Sequence, residues 1–192
     1  MEIFLRTDRL LLRRFTGADV ENLVSLDGDP EVMRLLTGGR PTPRDVVEHE
    51  LLPGLLEDYD RLAPFGTWAA VERSTGEFIG WFALDPADGD ERGEVELGYR
   101  LRKSAWGKGY ATEGSRALVD KAFAELGVQR VHADTMAVNT ASRRVLEKAG
   151  FRHVRTFHLT WDDPIEGTEH GEVEYELRRA DWRTTEKAGN LP

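Results

Sequence analysis

The stretch Ser104-Ala105-Trp106-Gly107-Lys108-Gly109-Tyr110-Ala111-Thr112-Glu113 concentrates the residues best suited to chemistry. Glycines one residue apart let the backbone turn its N–H groups outward. A helical pattern starting at Tyr110 sets a helix N-terminus, with its partial positive charge, behind them, the construction of a phosphate cradle. A Walker loop would need Gly-Lys followed by Ser or Thr, and Gly107-Lys108 is followed by Gly109. A Rossmann fingerprint would need a small residue where Thr112 stands, near a first strand. Both fail, and taken alone the glycine pair is equally a tight strand-to-helix turn.

The elements around this turn follow from periodicity. Leu10-Leu11-Leu12 between arginines reads as a strand. Helical pieces follow at Val20, Leu23, Val24 and at Val32, Leu35, Leu36, and a third runs from Pro43 to Tyr59, to be kinked or divided by Pro53. Thr67 to Val71 and Glu77 to Leu84 are β-rich and flank a turn at Ser74-Thr75-Gly76. Glu94 to Leu101 is a strand carrying an internal Gly98, a mark of a bulge or a close backbone approach. A helix from Tyr110 to Leu126 stops at Gly127. Then come a strand over Val131 to Val138, a helix over Thr140 to Ala149 ended by Gly150, a strand over Phe151 to Thr160, an acidic loop over Asp162 to Gly171 and a last strand over Val173 to Leu177. This order implies one α/β domain over residues 1–182, a mixed sheet containing one parallel crossover, and a polar, frayed tail over 183–192.

Composition excludes whole classes of function. The 192 residues include no cysteine, so disulfides, thiolate metal sites and acyl transfer through an enzyme thiol are ruled out. A net charge of -9 argues against nucleic acid as a partner. No apolar run reaches the roughly 18–20 residues of a membrane span, and Met1 to Leu12 lacks a signal-peptide core, so the expected location is cytoplasmic. The five histidines, His49, His132, His153, His158 and His170, show no metal-ligand spacing, so no metal site is expected. No Gly-x-Ser-x-Gly elbow occurs either.

A second segment changes the weight of the first. Asn139-Thr140-Ala141-Ser142-Arg143-Arg144-Val145-Leu146-Glu147-Lys148-Ala149-Gly150-Phe151 follows the next strand. Together the two segments resemble the GNAT superfamily of acyl-CoA-dependent N-acyltransferases, and within it the branch that includes the ribosomal-protein N-terminal acetyltransferases. Thr7-Asp8-Arg9-Leu10-Leu11-Leu12-Arg13 resembles that branch's opening strand and Val173 to Trp182 its closing strand. The family's pyrophosphate loop reads Arg or Gln, two residues, Gly, one residue, then Gly or Ala. Trp106-Gly107-Lys108-Gly109-Tyr110-Ala111 matches except that Trp106 replaces the Arg or Gln.

The resemblance implies a mixed, mostly antiparallel sheet with helices on both sides and a splayed central parallel strand pair holding acetyl-CoA, the co-substrate. On this reading the cofactor meets Gly98, Tyr99, Arg100 and Leu101 of the splayed strand, Trp106, Gly107, Lys108, Gly109, Tyr110, Ala111 and Thr112 of the turn, and Asn139 and Ser142 of the following helix. A backbone N–H near Leu97 to Tyr99 would polarise the thioester carbonyl. Ser142 matches the position that assists the departing thiolate, and Asn139 one that contacts the pantetheine arm. Each also has an ordinary reading, Ser142 in a helix first turn and Asn139 as an N-cap. Lys108 is either a phosphate ligand or a solvated loop lysine.

An amine nucleophile must lose a proton, and Glu96, just before Leu97-Gly98-Tyr99, is the candidate base. It shares a strand face with Glu94 and is equally readable as a surface glutamate; Glu174 and the acids of the 162–172 loop are its rivals. Trp68, Trp81, Trp161 and Trp182 read as packing residues, with Trp81 or Trp161 available to wall a cleft. The expected activity is direct acetyl transfer to a primary amine, either a protein N-terminus or a small molecule, with acidic runs at 85–91 and 162–172 favouring a cationic acceptor. A non-catalytic acyl-CoA sensor is the alternative, and a homodimer is common in the family.

Overall fold

The computed structural model describes residues 2–86 and 93–182; most of the acidic run at 85–91 and the tail over 183–192 lie outside the described residues. Eight strands form one sheet in the order β1-β2-β3-β4-β5-β6-β8-β7. They are β1 (Ile3–Arg6), β2 (Leu10–Arg14), β3 (Gly66–Glu72), β4 (Phe78–Pro86), β5 (Glu94–Leu101), β6 (Arg130–Met136), β7 (Arg152–Phe157) and β8 (Glu172–Arg178). Every adjacent pair is antiparallel except β5 and β6, which run parallel because helix α5 (Tyr110–Ala124) carries the chain back between them. The helices are α1 (Val20–Asp27), α2 (Pro30–Thr37), α3 (Arg44–Val46), α4 (Leu52–Arg61), α5 and α6 (Thr140–Lys148).

Strand alternation decides which layer each residue enters. Phe82 and Tyr99 are cross-strand partners facing α5 and α6: a Cβ at Gly114 of α5 would lie 2.3 Å from the Phe82 ring, and the Tyr99 hydroxyl meets Ser142 of α6. Their neighbours Trp81 and Arg100 point to the other face, where Arg100 reaches Asp27 at the end of α1 at 2.7 Å. Val95, Leu97 and Val131 of the sheet join Leu118, Val119 and Phe123 of α5 in one buried core.

The expected elements are present, with three differences. The chain opens with an additional hairpin strand, β1, whose four residues are only partly covered at the sheet edge and leave no alternating signature. The stretch from Pro43, expected to be kinked or divided by Pro53, is interrupted upstream of it by a wide π-helical turn over Val47–Leu51 between α3 and α4, and Pro53 sits in the first turn of α4 where its missing N–H is tolerated. Gly98 marks no break in pairing: β4 and β5 stay in register from Gly80↔Leu101 to Pro86↔Val95, and a Cβ at Gly98 would make only ordinary contact with Trp81 and Ala83. The irregularity lies on the other side of β5.

Asp19 ties the first hairpin to α1. Its carboxylate accepts from Arg13 at 2.6 and 2.8 Å, from Asn22 and from the Thr16 N–H, and although burial opposes them, these donors hold it down at about 2. Because the folded value lies below the ordinary 3.8, the stabilisation is complete above that value and is lost as pH falls toward 2. Urea titrations between pH 5 and 2 should show about 2 kcal/mol of acid destabilisation that Asp19→Asn removes. Gly114→Ala should cost about 1–3 kcal/mol, since the fully buried Phe82 cannot retreat; trimming the ring in Gly114→Ala/Phe82→Leu should recover part of that loss.

Candidate functional site

Three pairs join β5 to β6: Glu94↔Arg130, Val95↔Val131 and Glu96↔His132. Both strands continue beyond Glu96 and His132, but without each other. The Arg102 N–H bonds the Ile79 carbonyl, so by alternation the backbone groups of Arg100, Gly98 and Glu96 point toward β4 and those of Leu97, Tyr99 and Leu101 toward the gap. The Leu101 carbonyl confirms the direction, because it accepts the Trp106 indole N–H at 2.8 Å. The side chain at the departing motif position therefore satisfies a carbonyl that the parted sheet leaves without a strand partner.

A cleft of about 800 Å³ runs through this opening. On one side it is lined by Thr112, Ala141, Ser142, Arg144, Val145 and Lys148 of α5 and α6, and on the other by Glu31, Val32, Arg34, Leu35 and Leu36 of α2. Of the residues singled out from the sequence, Tyr99, Arg100, Leu101, Trp106, Gly107, Gly109, Tyr110, Ala111, Thr112, Asn139 and Ser142 line it together. Gly98, Lys108 and Glu96 do not.

The turn before α5 is held from behind. Gly107 and Gly109 have φ of 72° and 84°, the left-handed region that glycine enters without strain, and a Cβ at Gly107 would meet nothing. α5 has no side-chain cap, so its first N–H groups remain available to a ligand. Arg9, in the turn between β1 and β2, donates to the Lys108 carbonyl at 2.9 Å, pairs with Glu113 at 2.6 Å and lies over the Tyr110 ring. Glu113 also accepts from Thr7 Oγ1 and the Arg9 N–H. Lys108 itself is exposed.

At the other rim the Asn139 side chain accepts from the Ser142 N–H at 3.1 Å, so Asn139 is the N-cap of α6. Tyr99 Oη lies 2.9 Å from Ser142 Oγ, and burial pushes the phenol up to about 12, so both groups are neutral hydroxyls at ordinary pH. The hydroxyl pair joins the splayed strand to the helix across the gap.

The carboxylates lie on the α2 face. Burial, with Asp134 and Asp85 nearby, pushes Glu96 up, though its side chain remains exposed and solvent screens the push. Burial likewise raises Asp85, Asp134 and Glu172. Glu174 behaves differently: Arg130 and Arg155 grip it and, against burial, hold it below the usual range. Trp161 joins Phe157 and Leu159 in lining the cleft, whereas Trp81 stacks under Arg100 away from it.

Arg9, Asp134 and the α2 residues were not singled out from the sequence. Arg9 stands in the quoted opening segment without any sign that it reaches 99 residues along the chain to the Lys108 carbonyl. Leu35 and Leu36 read as core residues of a helix. Among the described residues no cluster of His, Asp or Glu could hold a metal ion, and no helix is long and apolar enough to cross a membrane.

A relative from Aspergillus fumigatus, FsC-acetyl coenzyme A-N(2)-transacetylase, is 38% identical over 95% of this chain and 79% of its own length. A ribosomal L7/L12 alpha-N-protein acetyltransferase solved in complex with coenzyme A shares the fold with TM-score 0.77 at 17% identity, over 92% of this chain and 98% of its own. Spermidine N-acetyltransferase from Vibrio cholerae, solved with CoA and spermine, does so with TM-score 0.73 at 15% identity, over 92% and 99%. The family pattern described as the acetyltransferase (GNAT) domain matches residues 9–152, and with the parted strands and the glycine turn in view, the chain belongs to the GNAT acetyltransferases, enzymes that use acetyl-CoA as acyl donor.

Proposed function

We propose that this enzyme moves the acetyl group of acetyl-CoA directly to a primary amine that enters from the α2 face as a cation. The observation that carries this reading is the end of β5–β6 pairing at Glu96↔His132, beside a glycine turn whose helix N-terminus is uncapped. Acetyl-CoA supplies an activated thioester carbonyl. Gly107 to Thr112 would hold its diphosphate through backbone N–H groups, with Arg144 and Lys148, one turn apart on α6, adding positive charge along the cleft. Asn139 would line the pantetheine arm.

The Tyr99 N–H points into the gap beyond the last β5–β6 pair and would donate to the thioester oxygen as charge develops there. The Tyr99–Ser142 hydroxyl pair would donate to the departing sulfur. A phenol near 12 is about 3.5 units above a typical thiol, so full proton transfer would be uphill by about 5 kcal/mol and the pair assists by hydrogen bonding. Glu96, at the point of parting, takes the amine proton, through water if the side chain does not reach. Glu174, held by two arginines, is a poor base.

The acceptor is read as a small-molecule amine. The A. fumigatus relative, 38% identical, is named as an N(2)-transacetylase of FsC, whereas the V. cholerae spermidine enzyme shares only the fold at its level of identity. The L7/L12 enzyme named for a protein α-amine shares only the fold at its level of identity, so an N-terminal peptide amine is the second reading.

Initial-rate kinetics should give intersecting bisubstrate patterns, the mark of direct transfer; a ping-pong pattern would contradict it. Glu96→Gln should lower kcat at least tenfold and flatten the fall in rate at low pH. The base form exists above the raised pKa of Glu96, so wild-type activity is lost as pH drops through it. Ser142→Ala should lower kcat with little change in the KM for acetyl-CoA. Arg9→Ala, which unpins the turn, should instead raise that KM about fivefold, worth about 1 kcal/mol, and leave kcat nearly intact.

A further inference from the structure

One buried carboxylate in the cleft has no ion-pair partner among the described residues. Glu172 is 7% exposed, its Oε1 is buried without a hydrogen-bond partner, and it lines the opening. Its cross-strand neighbours on the same face are Met136 and Phe157, so the group sits in apolar surroundings. The next two glutamates on that face of β8 are equally buried but not alone. Arg130 and Arg155 bind Glu174, and Arg130, Arg152 and Arg178 bind Glu176. The arginine ladder stops one step short of the cleft.

An unpaired ion in such a place is costly to keep, and a fold retains one where a ligand brings the missing charge. Asp134, on the same face and lining the same opening, sits close enough to push Glu172 further toward protonation. Two carboxylates call for a cation with several N–H donors. The walls above them are mostly apolar: Trp161 and Leu159 on one side, and Val32, Leu35 and Leu36 of α2, beside Glu31 and Arg34, on the other, with Leu159 53% and Leu36 45% exposed.

We propose that Glu172, seconded by Asp134, receives the acceptor's ammonium group as it enters, before the nitrogen moves into the gap and gives up its proton toward Glu96, and that the acceptor is a primary amine carried on an apolar chain or ring that Trp161, Leu159 and Leu36 cover. This rests on the acetyl-transfer reading and narrows its acceptor. A polyamine would bring a second charge against the apolar walls, and a peptide would bring unpaired amides.

Calorimetric titration with n-hexylammonium, ethylammonium, 1,6-diammoniohexane and hexanoate, run with and without CoA, tests it. Hexylammonium should bind at least tenfold more tightly than ethylammonium and than the diamine, and hexanoate should give no saturable signal. Glu172→Gln should weaken hexylammonium at least tenfold and leave CoA binding unchanged. Trp161→Ala should weaken hexylammonium but not ethylammonium. Equal binding of the short and long amines, tighter binding of the diamine, no saturable binding of hexylammonium, or an unaffected Glu172→Gln protein would each overturn the proposal. Failure of the acetyl-CoA reading appears separately, as absent CoA binding in the same titrations.

Discussion

The site exists because two strands stop sharing hydrogen bonds. Parallel β5 and β6 pair for only three residues and then continue apart, which leaves backbone donors and acceptors in the middle of a sheet without strand partners. Such groups are costly in a protein interior, and each must be met by something else. The Trp106 indole meets the Leu101 carbonyl. Above the sheet, on the α6 face, the Tyr99–Ser142 hydroxyl pair links the parted strand to the helix. On the proposed reading the remaining donors are met by the thioester itself, so the ligand completes a sheet that the chain leaves unfinished.

Keeping the strands apart requires firm surroundings. On one side of β5 the register with β4 is unbroken over seven pairs, so β5 cannot follow β6. On the other side, β8 pairs with β6 along its whole length. α5 presses against the sheet at Gly114, where nothing larger than hydrogen fits beside Phe82, and this fixes the level at which the α5 N-terminus faces the gap. Arg9 then fixes the turn from behind. Its bonds to the Lys108 carbonyl and to Glu113 leave the outward N–H groups free, since they engage the opposite side of the loop.

Much of this was legible in the sequence because the informative features are local. The glycine pair, the helix after it and the Asn139 to Ser142 turn each occupy a few consecutive residues, and the structure brings them to one opening. What was not legible depends on register. Gly98 suggested a bulge, yet the break lies between β5 and β6, and nothing in either strand's own composition says where pairing with a distant strand will end. The α2 wall was hidden for a related reason: Leu35 and Leu36 carry the same hydrophobic signal whether a helix covers core or cleft. Glu172, Glu174 and Glu176 look alike in the sequence, and only the placement of Arg130, Arg152, Arg155 and Arg178 separates the neutralised two from the unpaired one.

Charge is divided across the sheet in a way that the net value of -9 conceals. Toward α5 and α6 the opening presents a helix N-terminus, Arg144 and Lys148, a setting for an anion. Toward α2 it presents Arg34, Glu31 and an Arg100 already paired with Asp27, together with Asp134 and a Glu172 without an ion-pair partner among the described residues, the one place there that asks for a cation. On the proposed reading the CoA diphosphate is drawn to the first setting and the ammonium of the acceptor to the second. On that reading they meet in the gap, where the Tyr99 N–H faces the thioester oxygen. A chain with the same fold but a uniform field would bind one partner at the expense of the other. On the proposed reading the placement of charge belongs to the mechanism as much as any single side chain does.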